Sequence, residues 1–442
     1  MLPTEAIENI CLLVDEPDDL KSLTCVSRLF ASIACHIYAV QLGIHVKDTS
    51  RFVQIRGKSF QALATWQRSR LFSCLHDKYL LCDINEQELQ TANMQIRALR
   101  HFLSMTFVTR PFAAVYINSA DALSPSEILQ FIQLIDGAGC QTVSISTGLS
   151  NPQWFRPLAS PCAPRLTTMS LAHLRSLDID NQYFSAQHWS SLLCRLMGPN
   201  LETLSIRGQP TIRAISQFLS RHSHINTFHF QPRWGTHDQC IKSGAFPQRI
   251  KMAQLSEING PPRHLMALLQ CLSPASPALT LKMGCDRTMT YPQYVHTVLR
   301  SVGLCGPYVH LEIRLPPCYD LVLDWKEMES LHTITLPEVV SLEISFPPLS
   351  ERDLLVCFHT FNAANLIHQL LDQACCTQWF SLVPMLDCIT VYVSSRIGRR
   401  RSTSATDADI VVGPRNGSVT HTSGGTQVMW DTEAGIKYDL IL

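Results

Sequence analysis

The sequence predicts an α/β chain: a small three-helix module at the N-terminus, then a solenoid of parallel strands and helices. Three observations carry this expectation. The first forty residues place apolar side chains at helical spacing. From about residue 112 the unit apolar-x-x-apolar-x-apolar recurs. The composition is 46% hydrophobic and only 16% charged, which excludes general disorder and falls below the charge content of ordinary soluble domains. A chain of 442 residues would otherwise hold about three domains, but stacked repeats extend a single core by addition.

Charge and cysteine bound the partners. Lys+Arg and Asp+Glu are 36 each, so a basic footprint for nucleic acid is missing and no nucleic-acid partner is expected. The 17 cysteines contain no Cys-x-x-Cys pair, so zinc and redox motifs lack their spacing. The start, Met1 to Glu5, has no basic stretch of a secretory signal. No run of 18 apolar residues occurs, so no membrane span is expected. The expectation is an intracellular protein, in cytoplasm and/or nucleus, with free buried thiols. In that setting the sequon Asn416-Gly417-Ser418 carries no meaning.

Residues 1–44 open with Ile7, Ile10, Cys11 and Val14 on one helical face. Pro3 suits a first turn, and Pro17 stops the helix near Glu16. Asp18 and Asp19 are candidate N-caps for a second helix through Leu20 and Leu23. Val26, Leu29, Phe30, Ile33 and Ile37 mark a third. Leu2-Pro3-x-Glu5, Ile10-x-x-Leu13, Asp19-Leu20-x-x-Leu23 and Val26-Ser27-Arg28-x-Phe30 follow in order. Together they resemble an F-box. The resemblance implies a module that docks on the Skp-type adaptor of a cullin-based ubiquitin ligase. Its contacts would fall on Leu2, Pro3, Ile10, Leu13, Leu20, Leu23, Val26 and Phe30.

Residues 45–110 read as a helical connector, with Phe60, Leu63 and Trp66 at helical spacing and a short strand at Tyr79 to Cys82. Residues 111–394 carry the repeats. Their central apolar positions are 115, 143, 177, 204, 228, 255, 281, 311, 342 and 389, with Met252-Leu255-Ile258 as an imperfect copy. Between them lie helix signals such as Ser124-Pro125-Ser126-Glu127 and Trp189, Leu192, Leu193, Leu196. Strand, helix, strand at a steady period means parallel strands with helical crossovers. The array resembles an irregular leucine-rich repeat, whose period is about 20–29 residues. Gln182, Gln209 and Arg233 stand where that family places Asn. The layout resembles the F-box sets of mushroom-forming fungi.

No phosphate-loop, nucleophile-elbow or zinc-protease motif occurs. His237-x-x-Cys240, Cys375-Cys376 and His76 between Cys74 and Cys82 are the nearest to metal fragments, and none supplies a paired ligand set. The expectation is a non-enzyme without cofactor or metal. Partner binding falls instead to the strand residues that point away from the core. These are Tyr116, Ser144, Asp178, Ser205, His229, Lys282, Glu312 and Glu343, with Arg175, Arg207 and Arg314 beside them. Their mixed signs suit a protein target rather than a phosphate backbone. Residues 395–442, with Arg396, Arg399, Arg400 and Arg401 and then Gly, Ser and Thr, read as a flexible polar tail. The expected function is the substrate receptor of an SCF-type ligase, bridging the adaptor to an unknown target protein. The rival is a repeat-type scaffold independent of any ubiquitin ligase.

Overall fold

The computed structural model describes residues 3–44, 52–66, 78–84, 89–105, 112–118, 123–146, 168–232, 249–274, 278–284, 289, 291–305, 308–314, 339–349, 388–395, 414–422, 425–432 and 437–441. They divide into two compact units, Met1–Ile225 with Pro232–Ser243, and Asn226–Gln231 with Gly244–Leu442. Each is α/β.

The first unit begins with α1 (Thr4–Leu12), α2 (Pro17–Leu23) and α3 (Arg28–Gln41). Ile7, Cys11, Leu20, Cys35, Ile37 and Tyr38 form their shared interior. Helix α1 ends at Leu12, earlier than the stop expected at Glu16. Asp18 and Asp19 are not N-caps: Glu16 holds that position and Pro17 is the first helical residue. Both carboxylates lie in the first turn, where they oppose the positive end of the helix dipole. Ser27 caps α3 through its hydroxyl, which accepts from the Phe30 N–H at 3.2 Å.

Six parallel strands follow: β1 (Phe52–Arg56), β2 (Tyr79–Asp83), β3 (Ala114–Asn118), β4 (Thr142–Ser146), β6 (Ser176–Asn181) and β8 (Thr203–Gly208). The short β5 (Met169–Ser170) and β7 (Leu196–Met197) pair separately. Helices α4 (Ser59–Trp66), α5 (Leu89–Met105), α6 (Pro125–Gly137), α7 (Ala186–Arg195) and α8 (Ile212–Arg221) connect or follow the strands. Val53, Leu80, Val115, Val143, Leu177 and Leu204 are aligned across the ladder and all buried. In the stretch 45–110 the strand expected at Tyr79 to Cys82 is present as β2, and β1 is a second strand that the helical reading did not include. Within this stretch β1 and β2 pair in parallel with each other and with β3, so the ladder starts about sixty residues earlier than the repeat pattern indicated.

Helix starts follow the expected chemistry. Ser124 and Glu127 form a capping box: the Ser124 hydroxyl accepts from the Glu127 N–H at 3.3 Å, and the Glu127 carboxylate accepts from the Ser124 N–H at 2.8 Å. The turn after β6 solves the missing Asn in another register. Asn181, one residue before Gln182, is buried and accepts from the N–H groups of Tyr183 and Phe184 at 3.0 and 3.1 Å.

The second unit carries β9 (Thr227–Pro232), β11 (Glu257–Gly260), β13 (Leu279–Met283), β14 (Val309–Arg314), β15 (Val339–Leu349) and β16 (Cys388–Ser395), again parallel. Among the described residues its helices are α9 (Pro262–Cys271) and α10 (Tyr291–Val302), and β10 (Ile250–Met252) pairs with β12 (Leu272–Pro274). The imperfect copy at Met252-Leu255-Ile258 is out of frame. Ile258 aligns with Phe228 and Leu281, so the repeat reads Leu255-x-x-Ile258-x-Gly260. Glycine ends it because a Cβ at Gly260 would stand 2.7 Å from the Phe230 carbonyl oxygen. A search by hydrophobicity misses a position that only glycine fits.

The last strands break the parallel order. β17 (Pro414–Thr422), β18 (Gly425–Thr432) and β19 (Lys437–Ile441) pair antiparallel, with β17 on β16. Much of the expected polar tail is therefore strand. Its Thr and Val residues are strand formers whatever their polarity, and only Ser423 and Gly424 separate β17 from β18, a hairpin signal.

Candidate partner-binding surfaces

Two surfaces emerge, one on the N-terminal helices and one on the strand face. On the helices the candidate contact residues separate by burial. Leu13 is 82% exposed and Val26 64%; Ile10, Pro3 and Leu12 are exposed as well. Leu23 and Phe30 are half-buried. Leu20 is completely buried and supports the module rather than offering a contact. Leu2 lies outside the described residues. Ile10 and Leu13, one turn apart at the end of α1, and Val26 after α2 are apolar surface that water solvates poorly.

The strand face of the first unit is built from alternate residues of each strand, since the intervening ones are buried. Register places Tyr116, Ser144, Asp178 and Ser205 in one row across β3, β4, β6 and β8. The Ser144 hydroxyl donates to Asp178 Oδ2 at 2.9 Å. The Arg207 guanidinium sits 3.9 Å from Asp178 and 3.6 Å from Asp180. Asp180 is pushed up to about 6 by burial; Arg207 opposes this and Asp178 adds to it. Asp178 Oδ1 and Asp180 Oδ1 are buried without a hydrogen-bond partner. One row along, Asp83 accepts from the side-chain amides of Gln54 and Asn118 at 2.6 and 2.7 Å. Phe52 and Tyr79 stack with centroids 5.1 Å apart, and Tyr79 lies 6.3 Å from Tyr116.

In the second unit, His229 Nε2 is 2.8 Å from Glu257 Oε1, and Lys282 reaches Glu257 at 3.3 Å and Glu312 at 3.5 Å. Lys282 thus bridges β11, β13 and β14, and the His229–Glu257 contact adds β9. Sequence reasoning missed Glu257 because the repeat there was framed wrongly. Glu312 pairs with Glu343 in register. Arg314 and Glu343 are placed by backbone alone. Arg175 instead pairs with Glu202 at 3.3 Å.

His222 and Cys140 are engaged structurally. His222 is buried; its Nε2 accepts from the Gly198 N–H at 3.0 Å, and its Nδ1 lies 2.8 Å from the Phe218 carbonyl oxygen. Burial, Arg221 and His224 lower its pKa against that backbone bond, which fits a neutral ring. Cys140 is pushed up to about 12 by burial, an inert thiol. Among the described residues no group of three His, Cys, Asp or Glu could hold a metal ion, and no helix is long and apolar enough to cross a membrane. His76, Cys74, His237, Cys240, Cys375, Cys376 and the arginines at 396 and 399–401 lie outside the described residues.

The comparisons add no family. No family model matches the chain, and no curated protein or solved structure shows significant similarity to it.

Proposed function

We propose that this chain is the substrate-receptor subunit of an SCF-type ubiquitin ligase. Its F-box-like helices hold a Skp-type adaptor, and its leucine-rich-repeat-like strand face holds a target protein. The observation that carries the reading is the exposure of Leu13, Val26 and Ile10 at motif positions, on a module whose own interior is already filled by Leu20, Ile7 and Cys11. Apolar side chains left outside a complete core gain by being covered. The work done is positioning: two partners on one scaffold raise the effective concentration of target beside the ubiquitin donor.

Co-purification with the Skp-type adaptor tests this. Wild type is expected to retain the adaptor. Leu13→Asp and Val26→Asp should each weaken it by about tenfold or more, with the melting temperature unchanged because both side chains are exposed. Equal retention by wild type and both variants, or none by wild type, would leave the chain as a repeat-type scaffold independent of any ligase.

A further inference from the structure

The strand face of the first unit carries an aromatic row beside carboxylates that no cation fully answers. Phe52, 57% exposed, stacks on Tyr79, and Tyr79 approaches Tyr116. Asp83 accepts from the side-chain amides of Gln54 and Asn118 and has Arg56 opposite it in register. Asp178 and Asp180 share Arg207 at ion-pair but not hydrogen-bond distance, and each keeps one buried oxygen without a partner. Three carboxylates thus face the guanidiniums of Arg56 and Arg207 alone on the described strand positions of this face. The Tyr116 phenol is raised chiefly by burial, and the Asp178 carboxylate beside it adds to this. Aromatic ring faces are themselves negative and attract cations. By contrast, in the second unit Lys282 answers both Glu257 and Glu312.

We propose that the strip from Phe52 through Tyr79 and Tyr116 to Asp178 is the target-recognition surface, and that its occupant is an extended segment of a target protein bearing lysine or arginine. This rests on the strand face being the target platform. The strip crosses β1, β2, β3, β4 and β6, roughly 19 Å at the ~4.8 Å spacing of neighbouring strands. An extended chain covers that distance with about six residues. A cationic head would lie over the tyrosine faces and reach the carboxylates beyond them. Arg207 is its internal competitor. A phosphate backbone would meet the same carboxylates and be repelled.

The test uses the purified full chain and fluorescein-labelled peptides about twelve residues long, repeating Gly-Ser-Lys, Gly-Ser-Gln or Gly-Ser-Glu, with a single-stranded oligothymidine beside them. Anisotropy should show the lysine peptide bound at least about tenfold tighter than the glutamine one, and weaker as salt rises. The glutamate peptide and the oligonucleotide should not bind. Asp178→Asn and Tyr116→Leu should each cost about fivefold, whereas Arg207→Gln should tighten binding and Glu8→Gln, on the exposed side of α1, leave it unchanged. A gain on losing Arg207 is not something a merely structural role would produce. Equal affinity for lysine and glutamine peptides, preference for the glutamate peptide or the oligonucleotide, or no change in both Asp178→Asn and Arg207→Gln overturns the proposal. Should Tyr116→Leu fail to fold, those two variants decide. Adaptor binding does not enter the measurement, so loss of the ligase reading and loss of this one are seen separately.

Discussion

Asp180 shows how one side chain records its surroundings. It is 12% exposed and pushed up to about 6, above the ordinary 3.8 that it regains on unfolding. The folded state therefore favours the protonated acid. That stabilisation is fully present below pH 3.8 and is lost as pH rises towards 6, where the folded chain must carry the charge. Asp180→Asn is expected to raise stability by about 2 kcal/mol at pH 7.5 and to have little effect near pH 4, measured by thermal denaturation at both. A gain of equal size at both pH values would contradict the account. Neither the burial of Asp180 nor the orphaned oxygen of Asp178 was legible in the sequence. The alternation of each strand places both residues on the outward face, but the distance to Arg207 depends on how β6 and β8 are registered.

At the scale of the element, the links between repeats decide what could be read. Asp136, near the end of α6, accepts from the N–H groups of Ala172, His173 and Leu174 at 2.8–2.9 Å and is buried. These groups precede β6, so one carboxylate fastens a helix to the entry of the next strand. Asp136→Ala should cost about 3 kcal/mol by leaving buried donors unpaired, seen as a lower midpoint in urea. The strands themselves were legible wherever the full unit apolar-x-x-apolar-x-apolar stood. It does not stand at β1, where Ser50 takes the leading position and only Val53 and Ile55 remain, nor at β11, where Gly260 replaces the final apolar residue. The aromatic row on Phe52 and Tyr79 was missed for the same reason. In the N-terminal helices the sequence period names the apolar stripes but not which leucine is inside. Packing of α2 and α3 buries Leu20, and Leu13 at the end of α1 stays in water.

For the whole molecule, zero net charge and exposed apolar side chains act together. Colloidal repulsion is weak when net charge is near zero, and Leu13, Val26 and Leu12 offer self-association a starting point. The chain expressed alone should give little monodisperse material. Leu13→Asp, or co-expression with the Skp-type adaptor, should raise the soluble yield severalfold, judged by size-exclusion chromatography. A monodisperse wild-type chain without partner would count against these side chains as a docking site. The long parallel ladder was foreseeable from its period, whereas the antiparallel end was not. Periodicity reports that strands recur and says nothing of their direction.

Arg221 gives the repeats a way to stand or fall together. From the end of α8 it donates to the carbonyls of Leu193 and Cys194 at 2.7 Å each, the last turn of α7. A helix that loses its terminal carbonyl partners frays. Opening α8 thus also loosens the helix before it, and in the second unit Arg249, just ahead of β10, donates to the carbonyls of Leu269, Leu272 and Leu304 at 2.9–3.0 Å, joining the ends of α9 and α10. Cooperativity in such an array is a nearest-neighbour quantity. Here part of it resides in two guanidinium groups, placed where neither apolar pattern nor strand period would direct attention.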